Sequence, residues 1–235
     1  MTSPALDHPV RLGATAVLLD LDGTVTDSAA AITGAIAETL EAFGRPPLAQ
    51  DTLLRFVGPP IREGFRDIAA VPEAEIEPLV ADYRTRYAAR MADVPVFPGV
   101  DELIRSWHAA GVPLALATAK LQTMAEPILD AAGLTAYFTT VSGVLAGEDT
   151  LGGVQAKANV ISRALDGLSA AGADITGAVM VGDRYHDIAG AGTHGLTSVL
   201  VRWGYGRPGE EEGAAAVVHD AGELAAVLAA RPSTS

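Results

Sequence analysis

Short, wholly apolar runs along the chain alternate with longer stretches whose apolar positions recur at helical spacing. "ATAVLLD" (14–20), "VPLALAT" (112–118), "GAVMVGD" (177–183) and "TSVLVR" (197–202) carry no polar alternation, which predicts strands buried on both faces. Between them, "VDELIRSWHAAG", "LQTMAEPILDAAG" and "QAKANVISRALDGLSAAG" are periodic and end in glycine, as helices do. Alternation of this kind predicts an α/β fold, a doubly wound parallel sheet with helices on both sides. One stretch breaks the rhythm. From Ser28 to Asp93 there is only helix-like text, such as "AAAITGAIAETLEAFG" and "EAEIEPLVADYRTRYAARM", which is far longer than a crossover connection. The expected organisation is therefore a core of residues 1–27 and 94–235, with an all-helical insert at 28–93. The glycine-rich "RWGYGRPGEEEG" (202–213) reads as a surface loop before a last short strand and helix, and the terminal "AARPSTS" reads as frayed.

Composition narrows the function. With 235 residues, 49% of them hydrophobic, the chain can bury a substantial core as one large domain or two unequal ones. A formal charge of −13 argues against nucleic acid as a partner, although a local cationic pocket can still take a small anion. The absence of cysteine excludes disulfides, thiolate nucleophiles and zinc–thiolate sites. The stretch "MTSPALDHPVRLGATA" holds no apolar run of signal-peptide length, and no later segment is long enough to span a membrane. A cytoplasmic protein with no membrane partner is expected.

The polar residues at the ends of the runs carry the chemistry. Asp20 closes the first run, Thr118 the second and Asp183 the third, and a parallel sheet brings these carboxyl ends to one edge, where open α/β folds bind ligands. Asp22 and Asp187 extend the first and third into acidic doublets. Several carboxylates at one point need a cation, and oxygen donors without cysteine or a nearby histidine pair favour a hard ion, Mg²⁺. Such an ion beside a carboxylate suggests phosphate chemistry with aspartate as nucleophile. Lys157, expected in the first turn of a helix, fits if it and the helix dipole address the same anion.

"DLDGTVTDS", "ALATAK", Lys157 and "VMVGDRYHDIAGA" together resemble, in order, the four motifs of the haloacid dehalogenase-like hydrolase superfamily. The resemblance implies a Rossmann-like core with a helical cap inserted between motifs one and two. It implies Asp20 as the nucleophile that forms an aspartyl-phosphate, and Asp22 as the general acid that then activates water. Mg²⁺ would be held by the Asp20 carboxylate, the Asp22 carbonyl and Asp183. Asp187 would complete the cluster, through water on the metal or by orienting Lys157. Thr118 and Lys157 would hold phosphoryl oxygens, with amides near Leu21 to Gly23 assisting, and Gly23 would let the backbone approach phosphate. Asp22 favours phosphate-ester hydrolysis over dehalogenation, since a departing halide needs no proton. Many relatives have Asn after the motif-two Ser/Thr, whereas Ala119 and Lys120 follow Thr118 here, so Lys120 is either a replacement contact or a solvated helix-start lysine.

Within the insert, "RFVGPPIREGFRDI" sets Arg62 and Arg66 four apart after a Gly-Pro-Pro bend, with Ile61, Phe65 and Ile68 as a packing stripe. The arginines either hold a second anionic group of the substrate or pair with neighbouring acids. "FVGPP", "ATAK", "GDRYHDIAGA" and "RWGYG" are most similar to the phosphoglycolate phosphatase-like branch, which includes 5′-nucleotidase-like members. Tyr185 and His186 lie inside motif four, and His186 reads as a polar rim residue rather than a base. The expected partner is a small phosphorylated metabolite, such as phosphoglycolate or a nucleoside 5′-monophosphate, and the expected state is a monomer or homodimer. A sugar phosphomutase, a phosphoacceptor signalling receiver and a catalytically silent scaffold are the alternatives. The order of motifs and the helical insert both argue against the receiver.

Overall fold

The computed structural model describes residues 11–148 and 150–229. The expectations for residues 1–10 and for the tail beyond Ala229 fall outside the described residues. The chain enters the sheet through β1 (Ala16–Leu19) and then leaves it for a long helical excursion. This excursion comprises α1 (Ala29–Ala42), α2 (Gln50–Leu54), a short α3 (Ile61–Glu63) running into a π-helical turn at Gly64–Ile68, and α4 (Glu73–Ala88). The chain returns through α5 (Val100–Ala109) to β2 (Leu114–Leu121), α6 (Gln122–Ala131) and β3 (Thr140–Val144). It ends with α7 (Gly153–Ala170), β4 (Ala178–Gly182), α8 (Tyr185–Gly192), β5 (Thr197–Val201), β6 (Ala216–Val218) and α9 (Ala221–Leu228). The six strands stand in the order β3-β2-β1-β4-β5-β6, and every pairing is parallel. This is the Rossmann-like α/β arrangement.

Alternate residues of β1 explain how both faces are covered. Val17 and Leu19 join a large cluster that runs through Ile36, Phe65 and Leu79 of the helical excursion. Ala16 and Leu18 face the other way, with Ala115, Ala117 and Ala178, onto Val160, Ile161 and Ala164 of α7. The alanines on that face let α7 lie close to the sheet, which is how its lysine reaches the strand ends.

The order of elements agrees with the sequence pattern, with four corrections. Strand β3 was not anticipated, because Ser142 and Gly143 interrupt its apolar run. Both are required by packing: Ser142 Oγ donates to the Val160 carbonyl at 2.8 Å, and a Cβ on Gly143 would stand 2.6 Å from Gln122 Cα. Strand β2 does not end at Thr118 but continues to Leu121, with its register to β3 broken between Ala117 and Leu121. Helix α7 begins at Gly153, so Lys157 lies beyond its first turn. The segment 202–213 is not a simple surface loop, since its first residues press against Asp183, as described below.

Candidate active site

Asp20 immediately follows β1, and Asp183 immediately follows β4, so adjacent parallel strands deliver two carboxylates to one edge. Asp187 is added by the first turn of α8, where its Oδ2 accepts the Arg184 amide at 3.0 Å. Oxygens of Asp20, Asp183 and Asp187 lie within 4.8 Å of one another, and all three residues are buried. Their mutual repulsion is answered by Lys157. Its side chain leans back along α7, as helical side chains do. Its Nζ donates to Asp20 Oδ1 at 2.7 Å and to the Ala117 carbonyl at 2.9 Å, and it stands 2.7 Å from Asp187 Oδ1. The lysine charge is thus met by carboxylates, and not set against the amides of its own helix.

Burial governs the ionisation of these groups. Desolvation pushes Asp20 up to about 6, against the opposing pull of Lys157 and with a further push from Asp187. Asp183 is raised well above the carboxylate range by its burial and by Asp187 and Asp20. Burial also works against the charge on Lys157, but Asp187 and Asp20 outweigh it and hold the ammonium above the ordinary lysine value.

The donor set fits a hard cation. Asp183 Oδ2 accepts the Tyr205 amide at 2.7 Å, whereas its Oδ1 is buried with no hydrogen-bond partner among the described residues. A buried, unpaired carboxylate oxygen facing two further carboxylates is costly unless a cation completes it. Asp187 differs, because both its oxygens are engaged, one by Lys157 and one by the Arg184 amide. That favours its orienting role over a metal-facing one.

Asp22 lies on the other side of the turn, and its Oδ2 pairs with Lys120 Nζ at 2.8 Å. Lys120 is not a solvated lysine: its side chain is 7% exposed, and its ammonium lies 4.3 Å above the Tyr87 ring of α4. Although burial opposes it, the Asp22 charge raises the Lys120 pKa. Thr118 is buried next to Ala117, and its Oγ1 accepts the Lys120 amide at 3.2 Å. The amide of Gly23 is already taken by the Thr26 carbonyl at 2.9 Å. The glycine instead makes room for Asp183, since φ is +87° and a Cβ would stand 2.6 Å from Asp183 Cγ.

The arginines of the insert do not join this group. Arg62 pairs with Glu73, at 2.8 Å, and with Glu77, while Arg66 pairs with its neighbour Asp67 at 2.8 Å. The acids at the start of α4 are near enough to claim Arg62. Ile61 and Ile68 do pack against the core, and Phe65 is wholly buried. His186 is half-buried against Gly153, and burial lowers its pKa. Tyr185 is exposed.

Several residues that build the site escaped the sequence reading. Gly204 lies against the strand ends, where a Cβ would be 2.5 Å from Asp183 Cβ. Trp203 Nε1 donates to the Thr24 carbonyl at 3.0 Å, and the Tyr205 hydroxyl donates to Asp27 Oδ1 at 2.5 Å. Arg184 bonds Glu210 at 2.8 Å and reaches the Val57 carbonyl of the helical excursion. Glu63, from the same excursion, accepts the Gly153 amide at the start of α7 at 2.8 Å. The alternation of glycine with aromatic residues in "RWGYG" was the available signal for the loop. Nothing local marks Glu63 or Arg184.

The haloacid dehalogenase-like hydrolase family model matches residues 17–201. The chain belongs to this family. Among its curated relatives, the tyrosine-protein kinase PtkA of Mycobacterium tuberculosis is 40% identical over 192 residues, 81% of this chain but only 63% of that protein. The chain therefore spans less than two thirds of the length of the PtkA proteins that it matches. A phosphoglycolate phosphatase of Caulobacter vibrioides is 36% identical over 88% of this chain and 87% of its own length. In three dimensions, a predicted phosphatase from Clostridium acetobutylicum superposes with a TM-score of 0.79 at 31% identity, covering 88% of this chain and 94% of its own. Among the described residues, no helix of this family member is long and apolar enough to cross a membrane.

Proposed function

We propose that the chain is a cytoplasmic, Mg²⁺-dependent phosphomonoesterase for a small phosphorylated metabolite, with residues 28–93 serving as a cap over the site. The observation that carries this reading is the buried meeting of Asp20, Asp183, Asp187 and Lys157, with Asp22 held beside it. Asp20 and Asp183 side chains, with the Asp22 carbonyl, would hold Mg²⁺. When bound, the cation would neutralise developing charge on the phosphoryl oxygens.

In the first step, an Asp20 carboxylate oxygen attacks phosphorus and the bond to the ester oxygen breaks. Lys157 holds Asp20 Oδ1, which fixes the direction of the carboxylate. Asp22 gives its proton to the departing oxygen, becoming the anion that Lys120 balances. In the second step Asp22 takes a proton from water, which attacks the aspartyl-phosphate, and inorganic phosphate leaves. Lys157 and Thr118 would steady the transferring oxygens. The Tyr87–Lys120 and Glu63–Gly153 contacts tie the cap to the residues that perform these steps.

Transfer of the Asp20 phosphoryl group to an acceptor other than water is a second reading, and the 40% identity to a protein named as a tyrosine kinase favours it. It differs only in the second step; a phosphomutase would return the group to its substrate. Phosphate release from 2-phosphoglycolate, nucleoside 5′-monophosphates and sugar phosphates, with Mg²⁺ and with chelator, separates these readings. The expected result is metal-dependent release, lost by about a thousandfold or more in Asp20→Asn. Phosphorylated Asp20 with no net phosphate release would favour transfer, and release unaffected by Asp20→Asn would overturn both.

A further inference from the structure

The cleft that opens from Asp22 is lined on the cap side by Phe56, Pro59, Pro60, Ile61 and Tyr83, and on the core side by Met124 and the Ala119–Leu121 stretch. This is where a leaving group must lie, because Asp22 is the proposed proton donor. Its wall is aromatic and aliphatic, with the two prolines as a rigid lip.

The charges around the cleft already have work. Lys120 is held on one side by Asp22, at 2.8 Å, and on the other by the Tyr87 ring. It is the countercharge for the acid, and drawing it onto a substrate anion would leave Asp22 buried without its partner once the proton has passed to the leaving oxygen. Arg62 and Arg66 are directed to Glu73, Glu77 and Asp67. Arg184 is committed to Glu210 and the Val57 carbonyl. Arg84 lines both this cleft and the adjoining groove beside Gln122 and Gly147. A carboxylate or second phosphate driven into this cleft would meet Asp22 and mostly apolar walls. Of the two cations in the lining, Lys120 is the countercharge of Asp22 and Arg84 is shared with the adjoining groove, so the anion would bear a high desolvation cost.

We propose that the cleft selects an ester whose leaving alcohol is apolar, with an aromatic ring or branched hydrocarbon and no second anionic group. The assignment rests on the phosphomonoesterase reading and names its substrate class. Phe56 and Tyr83 would flank the ring, and the phosphate would sit at Asp20.

The test compares alkyl esters, so that intrinsic leaving ability does not mimic recognition: 2-phenylethyl phosphate, ethyl phosphate and 2-phosphoglycolate. The value of kcat/KM for the phenylethyl ester is expected to exceed that of either other ester by about tenfold or more, the scale of apolar pocket discrimination. In Met124→Lys, which adds a cation to the wall, the ratio of phenylethyl phosphate to 2-phosphoglycolate should fall by about tenfold. Equal or better turnover of 2-phosphoglycolate by the unaltered protein would overturn the proposal while leaving the phosphatase intact. Calorimetry with 2-phenylethylphosphonate and ethylphosphonate, which cannot turn over, reads the pocket separately on the unaltered protein. Tighter binding of the phenylethyl compound without hydrolysis of any ester would support the pocket and sink the phosphomonoesterase; equal binding of the two would overturn the pocket.

Discussion

The sheet edge and the helical insert handle charge in opposite ways. At the edge, Asp20, Asp183, Asp187 and Lys157 are buried, and the carboxylates outnumber the cations that reach them. In the insert, Arg45–Glu75, Arg66–Asp67, Arg86–Asp82 and Arg90–Glu38 are pairs on partly or fully exposed surface. Exposed pairs of this kind contribute about 0–1 kcal/mol, whereas breaking a buried pair costs several times more. A parallel sheet can impose such frustration because its ladder and two hydrophobic faces hold the strand ends wherever their side chains would prefer to be. The charges of the insert pair with one another, and its apolar side lines the cleft. On the proposed reading, chemistry would lie on the sheet edge and selectivity on the insert.

The contrast is broken most severely at Lys157. Lys157→Ala leaves Asp20 and Asp187 buried without their cation, so a loss of about 3–5 kcal/mol in urea unfolding is expected, together with loss of turnover. A change below about 1 kcal/mol would mean that the edge is no more demanding than the surface.

Gly204→Ala tests whether the loop over Asp183 is part of the edge. Its Cβ would collide with Asp183, so about 1–3 kcal/mol of destabilisation is expected, and turnover should fall by about a hundredfold through misplacement of the carboxylate. Unchanged kinetics and melting would return the loop to the surface.

Cation binding and pH sharpen the comparison further. Because the folded-state pKa values of Asp20 and Asp183 are raised, their contribution to stability is present below the unfolded carboxylate value of about 4. That contribution is lost as pH rises, for Asp20 through about 6. In chelator, this site should therefore weaken the protein, read by thermal melting, as pH rises from about 4 through about 6 and above. At the higher pH, Mg²⁺ at about a hundred times its Kd should restore about 2.7 kcal/mol. A melting temperature indifferent to Mg²⁺ would remove the cation from the edge.

The smallest effect belongs to the surface of the insert. Arg66→Ala should change stability by no more than about 1 kcal/mol and kcat/KM by less than about twofold, since it pairs with Asp67, an exposed neighbour. A tenfold loss of kcat/KM would bring Arg66 back to the substrate (about 1.4 kcal/mol of lost transition-state binding).

Much of this arrangement was legible in the residues. Continuous apolar runs announced β1, β2, β4 and β5, and the polar residues closing three of them announced a common edge, because in a parallel sheet direction in sequence is direction in space. Strand β3 was hidden, since Ser142 and Gly143 are chosen by contacts with α7 and Gln122 and not by strand pattern. The arginine pair of the insert was ambiguous for a related reason: whether Arg62 faces a ligand or Glu73 depends on how α3 and α4 pack.

By itself, then, the sequence determined the α/β order, the acidic residues at the strand ends and the lysine available to meet them. Those follow from periodicity and chain direction, which are local properties. Only the tertiary structure decided that Lys157 spans Asp20 and Asp187, that Lys120 is shared between Asp22 and Tyr87, and that Gly204 and Tyr205 close over Asp183. Each of these joins residues distant along the chain, and which side chain a buried charge meets is settled by packing, not by its neighbours in sequence.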